Sequence, residues 1–263
     1  MSNLLATCKQ QGKGDVITLC RPAKRNALSR ELMGQLSAAF DQAARDDNAR
    51  AVVLRAEGPA FCAGMDLAEM LDTRDAPDSS ARWQADADAY RDLLLKIVRL
   101  PKPTIASVQG PALAGGLGLV LACDVVVASE RATFGLPEPK RGLVAAVVAP
   151  FLLLRIGAGR AGYLLLTAGT IDAAAAGRLG IAHEVVPAAG LASRTEQLVA
   201  EIAEAAPEAL RATKRFLQAI AADQLAGQAE AGAAESAAAR ATPEAREGLQ
   251  AFLEKRKPRW DVE

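Results

Sequence analysis

Two glycine-bearing segments and one glutamate are the residues of this chain best suited to chemistry. The segments are FCAGMDL, residues 61–67, and GPALAGGLG, residues 110–118; the glutamate is Glu138 in FGLPEPKRG, residues 134–142. In the first segment a strand-like run ending at Phe61 enters a turn of small residues, and Asp66 is placed to cap a helix starting near Leu67. In the second, Gly115 and Gly116 precede an apolar helical run. Main-chain N–H groups at such turns lack ladder partners, and a helix start adds partial positive charge, so both segments suit a bound oxygen. Each also has a plainer reading, as a strand-to-helix connection or as packing that needs small residues. Glu138 stands between Pro137 and Pro139 among apolar residues. Burial there would lift its pKa toward the range of a general base; a salt bridge to Lys140 or Arg141 is the alternative. Together these parts suit an enolate, in which donors hold the oxygen and a carboxylate moves the neighbouring proton.

Other chemistries fit less well. The 31 basic and 31 acidic side chains cancel, so no overall field draws the chain to nucleic acid. The one histidine, His183 in IAHEVVP, reads as part of a strand near the surface with a structural or solvent-facing role. A single histidine and four unpaired-looking cysteines (Cys8, Cys20, Cys62, Cys123) do not make a zinc site. The cysteine pattern instead points to reduced, mostly buried thiols in a cytoplasmic protein. No Lys-Ser/Thr follows the glycines as a phosphate loop requires, and the dinucleotide glycine pattern is incomplete. The start MSNLLATCKQ lacks the basic and apolar segments of a signal peptide, and the uncharged run 143–154 is too short to cross a bilayer.

The elements that must position these residues alternate strand and helix. Residues 15–19, 51–55, 104–108 and 124–128 read as strands. Leu32, Met33, Leu36, Ala39, Phe40 and Ala43 recur at helical spacing behind Ser29 as N-cap, and residues 115–123 read as a helix apolar on every side, hence buried. This order predicts an α/β protein with parallel strands and helical crossovers. Residues 72–82 read as a mobile polar loop between helices. From about residue 191 strand signals stop and Ala-rich helical stretches follow, so we expect an α/β core over residues 1–195 and a helical C-terminal subdomain over 196–263. Trp83 and Tyr90, seven apart, share a helix face that lines an acyl pocket or packs the core.

The ordered set RPAKRNALS (21–29), FCAGMDL, GPALAGGLGLVLACD (110–124) and FGLPEPKRG resembles the crotonase superfamily, the enoyl-CoA hydratase/isomerase group, over almost the whole chain. The resemblance implies a spiral of ββα units with a helical C-terminal trimerisation region, assembled as a homotrimer or a dimer of trimers. It implies an acyl-CoA substrate, with coenzyme A as part of that substrate and no separate cofactor, and neither nucleic acid nor membrane as partner. The oxyanion-hole N–H groups would be those of Met65 and Gly115, and Glu138 the acid–base. Lys24, Arg25, Ala27, Ala63, Asp66, Leu67, Gly116 and Pro137 would contact the CoA or acyl group. Phe252, Lys255 and Lys257 would reach a neighbouring subunit's CoA phosphates, or the two lysines stand as ordinary solvated charge.

One departure bears on the reaction. Where two-glutamate hydratases of the superfamily carry their first glutamate, this chain has Gly118. The resemblance therefore implies either hydration or a double-bond shift with a single glutamate. A non-catalytic acyl-CoA-binding protein, or another thioester-enolate reaction such as decarboxylation or thioester hydrolysis, is the alternative. The runs 116–128 and 142–157 also resemble hydratases of branched glutaconyl-CoA, whose distal carboxylate Lys140 or Arg141 would hold.

Overall fold

The computed structural model of the chain describes residues 4–261, with the side chains of 221–223 excepted. Among the described residues nine strands form two sheets. In chain order they are β1 (Ala6–Gln11), β2 (Gly14–Leu19), β3 (Ala51–Ala56), β4 (Thr104–Val108), β5 (Ala112–Leu113), β6 (Val125–Ser129), β7 (Thr133–Gly135), β8 (Thr170–Asp172) and β9 (Glu184–Val186). The larger sheet runs β1-β2-β3-β4-β6-β9 and the smaller β5-β7-β8. Only the β1–β2 pair of the larger sheet is antiparallel; the rest are parallel, as the strand–helix alternation requires.

The strands alternate faces. Val16, Val53, Ile105 and Val127 cover one side and pack against Leu191 and Val199 of helix α8 (Leu191–Glu204). Ile17, Val52, Leu54, Ala106 and Val126 face the main core. Aliphatic residues buried on both faces are what a parallel sheet covered by helices demands.

Helix α1 (Arg30–Arg45) begins where expected, with the Ser29 hydroxyl accepting from Leu32 N, and buries the six anticipated apolar residues. Asp66 caps α2 (Leu67–Thr73). The polar segment 72–82 is less of a loop than its composition suggests. Helix α3 (Ser79–Arg99) already begins at Ser79, so only residues 74–78 separate it from α2. Polar residues on the outer side of an amphipathic helix look like loop when only their composition is read.

Helix α4 (Gly115–Ala122) is buried at every position, matching its uninterrupted apolar run. Helices α5 (Ala149–Ile156), α6 (Ala158–Thr167) and α7 (Ala173–Leu179) follow. Next come α9 (Pro207–Arg240), a single helix of 34 residues, and α10 (Pro243–Leu253). Leu225, Ala229, Ala233 and Ala237 recur every fourth residue on α9 and join the main core, small residues letting the helix lie close to its neighbours. His183 precedes β9; its Nδ1 accepts from Val126 N at 2.9 Å, a structural bond between neighbouring strands. Among the described residues no helix is long and apolar enough to cross a membrane.

The repeating unit is a strand of the large sheet, a short strand of the small sheet, then helix: β4, β5, α4 make one turn of the spiral. The preceding turn runs from β3 through Cys62, which forms a parallel bridge with Ala112, into α2. That bridge places the two glycine-bearing segments side by side.

Candidate functional site

The two segments are locked together by main-chain contacts. Cys62 N donates to Pro111 O (3.1 Å) and Leu113 N to Cys62 O (2.9 Å). Beyond this ladder each chain turns away through a residue with positive φ: Gly64 at +94° and Ala114 at +52°. An alanine held in this region is a strained position of the kind that gathers at functional sites. Ala114 is pinned there by its N–H, which donates to Gly135 O at 2.9 Å.

Glycine is needed at both contact points. A Cβ on Gly64 would lie 2.6 Å from the Ala114 Cβ and 3.3 Å from Gly115 N, and one on Gly116 would lie 2.2 Å from Cys62 O. The turns thus interlock, with Gly115 N close to Gly64. Among the described residues neither Met65 N nor Gly115 N donates a hydrogen bond. The flanking groups are engaged: Leu28 N donates to Gly64 O and Asp66 N to Leu28 O, which orients the peptide between them.

Met65 and Gly115 line one cleft of about 570 Å³ together with Glu138. The same cleft is lined by Lys24, Arg25, Ala27, Ala63, Asp66, Leu67 and Pro137. Of the eight residues expected to contact the CoA or acyl group, Gly116 alone is not part of its wall. Its Cα faces the Cys62 carbonyl, so its smallness serves the fit between the turns. Asp66 is committed twice: Oδ1 accepts from the first amides of α2, and Oδ2 pairs with Arg21 at 2.7 Å.

The loop carrying Lys24 and Arg25 is held by Asn26, which is fully buried. Its Nδ2 donates to Glu57 O and Ala60 O, and its Oδ1 accepts from Arg21 N. Ala63 N then donates to Arg25 O, joining this loop to the first glycine segment. Asn26 escaped notice in the sequence because nothing local marks a buried amide whose partners lie about thirty residues on.

Glu138 opens a short 3₁₀ turn (Glu138–Arg141) after Pro137. Its Oε2 is sealed from solvent and, among the described residues, has no hydrogen-bond partner. Burial raises its pKa from 4.5 to about 7, with the nearby Arg141 charge working in the opposite direction. Arg141 lies in the cleft wall beneath the Phe252 ring, 4.4 Å from its centroid, whereas Lys140 is exposed outside it. Gly142, at φ +65°, packs against the backbone of Glu244, so α10 abuts this turn and brings Phe252 and Lys255 to the cleft. Tyr90 also lines the cleft, while Trp83 is buried with its Nε1 donating to Met70 O. Cys62, although in the glycine segment, is no nucleophile: burial pushes its thiol up to about 12.

The raised pKa has a consequence for stability. Folding favours the protonated carboxyl, so this contribution is complete below about pH 4.5 and is lost as pH rises through about 7. The cost of the buried charge above that window is about 3 kcal/mol. Glu138→Gln is therefore expected to raise Tm at about pH 8 and leave it unchanged near pH 4, read by thermal denaturation across pH.

A second cleft of about 590 Å³ lies on the α8 side of the large sheet, between residues such as Val16, Val53 and Val199. It contains none of the residues expected to carry chemistry or to contact the ligand.

The family model for enoyl-CoA hydratase/isomerase matches residues 12–263. A Thermus thermophilus protein with the provisional name enoyl-CoA hydratase is 38% identical over 251 residues, covering 95% of this chain and 98% of that one. The 2,3-dehydroadipyl-CoA hydratase of Escherichia coli is 35% identical over 263 residues, covering 98% of each. The crystal structure of an enoyl-CoA hydratase from Mycobacterium avium superposes with a TM-score of 0.86 at 34% identity, over 98% of this chain and 99% of that one. With this fold, and a family match over residues 12–263, the chain is a member of the enoyl-CoA hydratase/isomerase family, the crotonase superfamily.

Proposed function

We propose that the cleft binds an acyl-CoA thioester, that the Met65 and Gly115 N–H groups hold the thioester oxygen, and that Glu138 is the acid–base. The observation carrying this reading is the convergence on one cleft of two main-chain donors without a partner among the described residues and one carboxylate with a sealed oxygen and a raised pKa. Negative charge gathers on the thioester oxygen as a proton leaves the neighbouring carbon, and fixed donors that need no reorganisation favour that transition state over the ground state. A carboxyl with a pKa of about 7 exists in both forms near neutral pH, so it takes and returns a proton at little cost. Lys24 and Arg25 on the rim, with Lys255 from the C-terminal segment, offer charge to the phosphates of coenzyme A.

Assembly as a homotrimer or dimer of trimers belongs to this reading. Exposed Phe216, Leu217 and Ile220 on α9, and Leu154, Tyr163 and Leu166 on α5 and α6, support it as surfaces that copies of the chain would cover.

The test is a panel of acyl-CoA thioesters, with binding followed by calorimetry and products by mass. Turnover that rises with pH to a plateau above about pH 7 supports Glu138 as the base. Binding without any product would make the chain an acyl-CoA-binding protein. Because the donor at residue 65 is main chain, Met65→Ala is expected to keep kcat/KM within about threefold of the wild type.

A further inference from the structure

Tyr90 is buried on α3 and its hydroxyl donates to the Gly115 carbonyl at 2.6 Å. One turn along α4 from Gly115, a Cβ built on Gly118 would lie 2.0 Å from the same phenol oxygen and 3.1 Å from a methyl of Val148. Tyr90 and Val148 both line the cleft that holds Glu138. Any side chain leaving α4 at position 118 must therefore emerge into this wall, and Tyr90 fills the exit.

The phenol does not replace a carboxylate there. Its proton is engaged by Gly115 O, and burial holds its pKa well above the ordinary value, so it presents no anion to a water molecule. Asp66, the other carboxylate of the cleft, is occupied by Arg21 and the start of α2. Water addition calls for a group that positions and deprotonates water beside one carbon while a proton is delivered to the next.

We propose that Tyr90 decides the reaction of this site: by blocking position 118 it leaves Glu138 alone to exchange protons with the bound thioester, so the chain shifts a double bond rather than adding water, and its hydrogen bond to Gly115 O holds the oxygen-binding turn in place. The proposal rests on the thioester reading given above. Glu138 removes a proton from C2 of a 3-enoyl thioester, the electron pair of that C–H bond forms the C1–C2 double bond, and the carbonyl oxygen takes the charge. The charge then returns: the carbonyl re-forms, the C1–C2 π pair becomes the C2–C3 double bond, and the C3–C4 π pair takes the proton from the Glu138 carboxyl to make the new C–H bond at C4. Water neither enters nor leaves.

The experiment compares the full chain and its variants on a 3-enoyl-CoA and on crotonyl-CoA, with products scored by mass. The wild type is expected to convert the 3-enoyl thioester at constant mass, dependent on Glu138, at least about 100-fold faster than it adds water to crotonyl-CoA. Tyr90→Phe keeps the filled volume and loses one hydrogen bond, so kcat falls about three- to tenfold with KM nearly unchanged and mass still constant. Gly118→Glu alone gains no water addition, whereas Tyr90→Leu with Gly118→Glu raises it at least about tenfold over the wild type. Wild-type activity that needs Glu138 but is mainly water addition overturns the role of Tyr90 and leaves the thioester reading standing; activity indifferent to Glu138 overturns both. A folded double variant with no added water addition, or Tyr90→Phe with unaltered kcat, also overturns the role of Tyr90. Should the double variant fail to fold, the wild-type product ratio and the Tyr90→Phe kinetics decide the matter.

Discussion

Glu138→Gln is expected to lower turnover by about 10²–10⁴-fold while acyl-CoA binding and the fold survive, the range typical of a positioned acid–base group. Glutamine keeps the size of the side chain and removes its proton exchange. The variant should fold well, because Oε2 is already sealed without a partner among the described residues and an amide there carries no charge to bury. The same substitution that destroys activity thus removes a buried charge at alkaline pH, and the two effects separate catalysis from structure. Steady-state kinetics alongside calorimetric binding is the measurement. A Glu138→Gln protein that binds normally and turns over at the wild-type rate on each active thioester would remove the carboxylate from the mechanism.

Gly116→Ala is expected to reduce kcat/KM by about 10²-fold and to lower Tm as well. The added methyl would stand 2.2 Å from the Cys62 carbonyl, which itself accepts from Leu113 N in the ladder joining the two turns. Backbone cannot yield there as a flexible side-chain tip could, so the turns must part. Overpacking of this kind typically costs about 1–3 kcal/mol, and misplacing a reacting group by about 1 Å is enough for a 10²-fold loss. Gly34 on α1 serves as the control: a Cβ there would meet nothing within 4 Å, so Gly34→Ala should leave kinetics untouched. Gly116→Ala kinetics indistinguishable from Gly34→Ala would show that the spacing of the two amides does not matter to the rate.

These two residues differ in how far the sequence exposes them. Glu138 stands out locally, a carboxylate between prolines in an apolar stretch, and burial raises its pKa as that setting suggests. Gly116 is visible as a glycine but its task is not: beside Gly115 it looks like part of a ligand loop, and only the neighbouring turn of the spiral reveals that it meets Cys62. Tyr90 is ambiguous between core and pocket for the same reason, since its partners Gly115 and Gly118 lie about twenty-five residues away on another helix. Asn26 and Arg141 acquire meaning only from carbonyls and a ring supplied by distant segments.

What the chain declares by itself is local. Strand and helix periodicity, the caps at Ser29 and Asp66, the buried character of α4 and the glycine segments follow from side-chain pattern and backbone preference over a few residues. The motifs together also identify the family. Tertiary structure decided which main-chain amides stand side by side, which carboxylate is sealed and which side chain fills the exit from Gly118. Those facts depend on close packing between turns of a spiral distant in sequence, where a single methyl group is too large, and no one-dimensional pattern records such a distance.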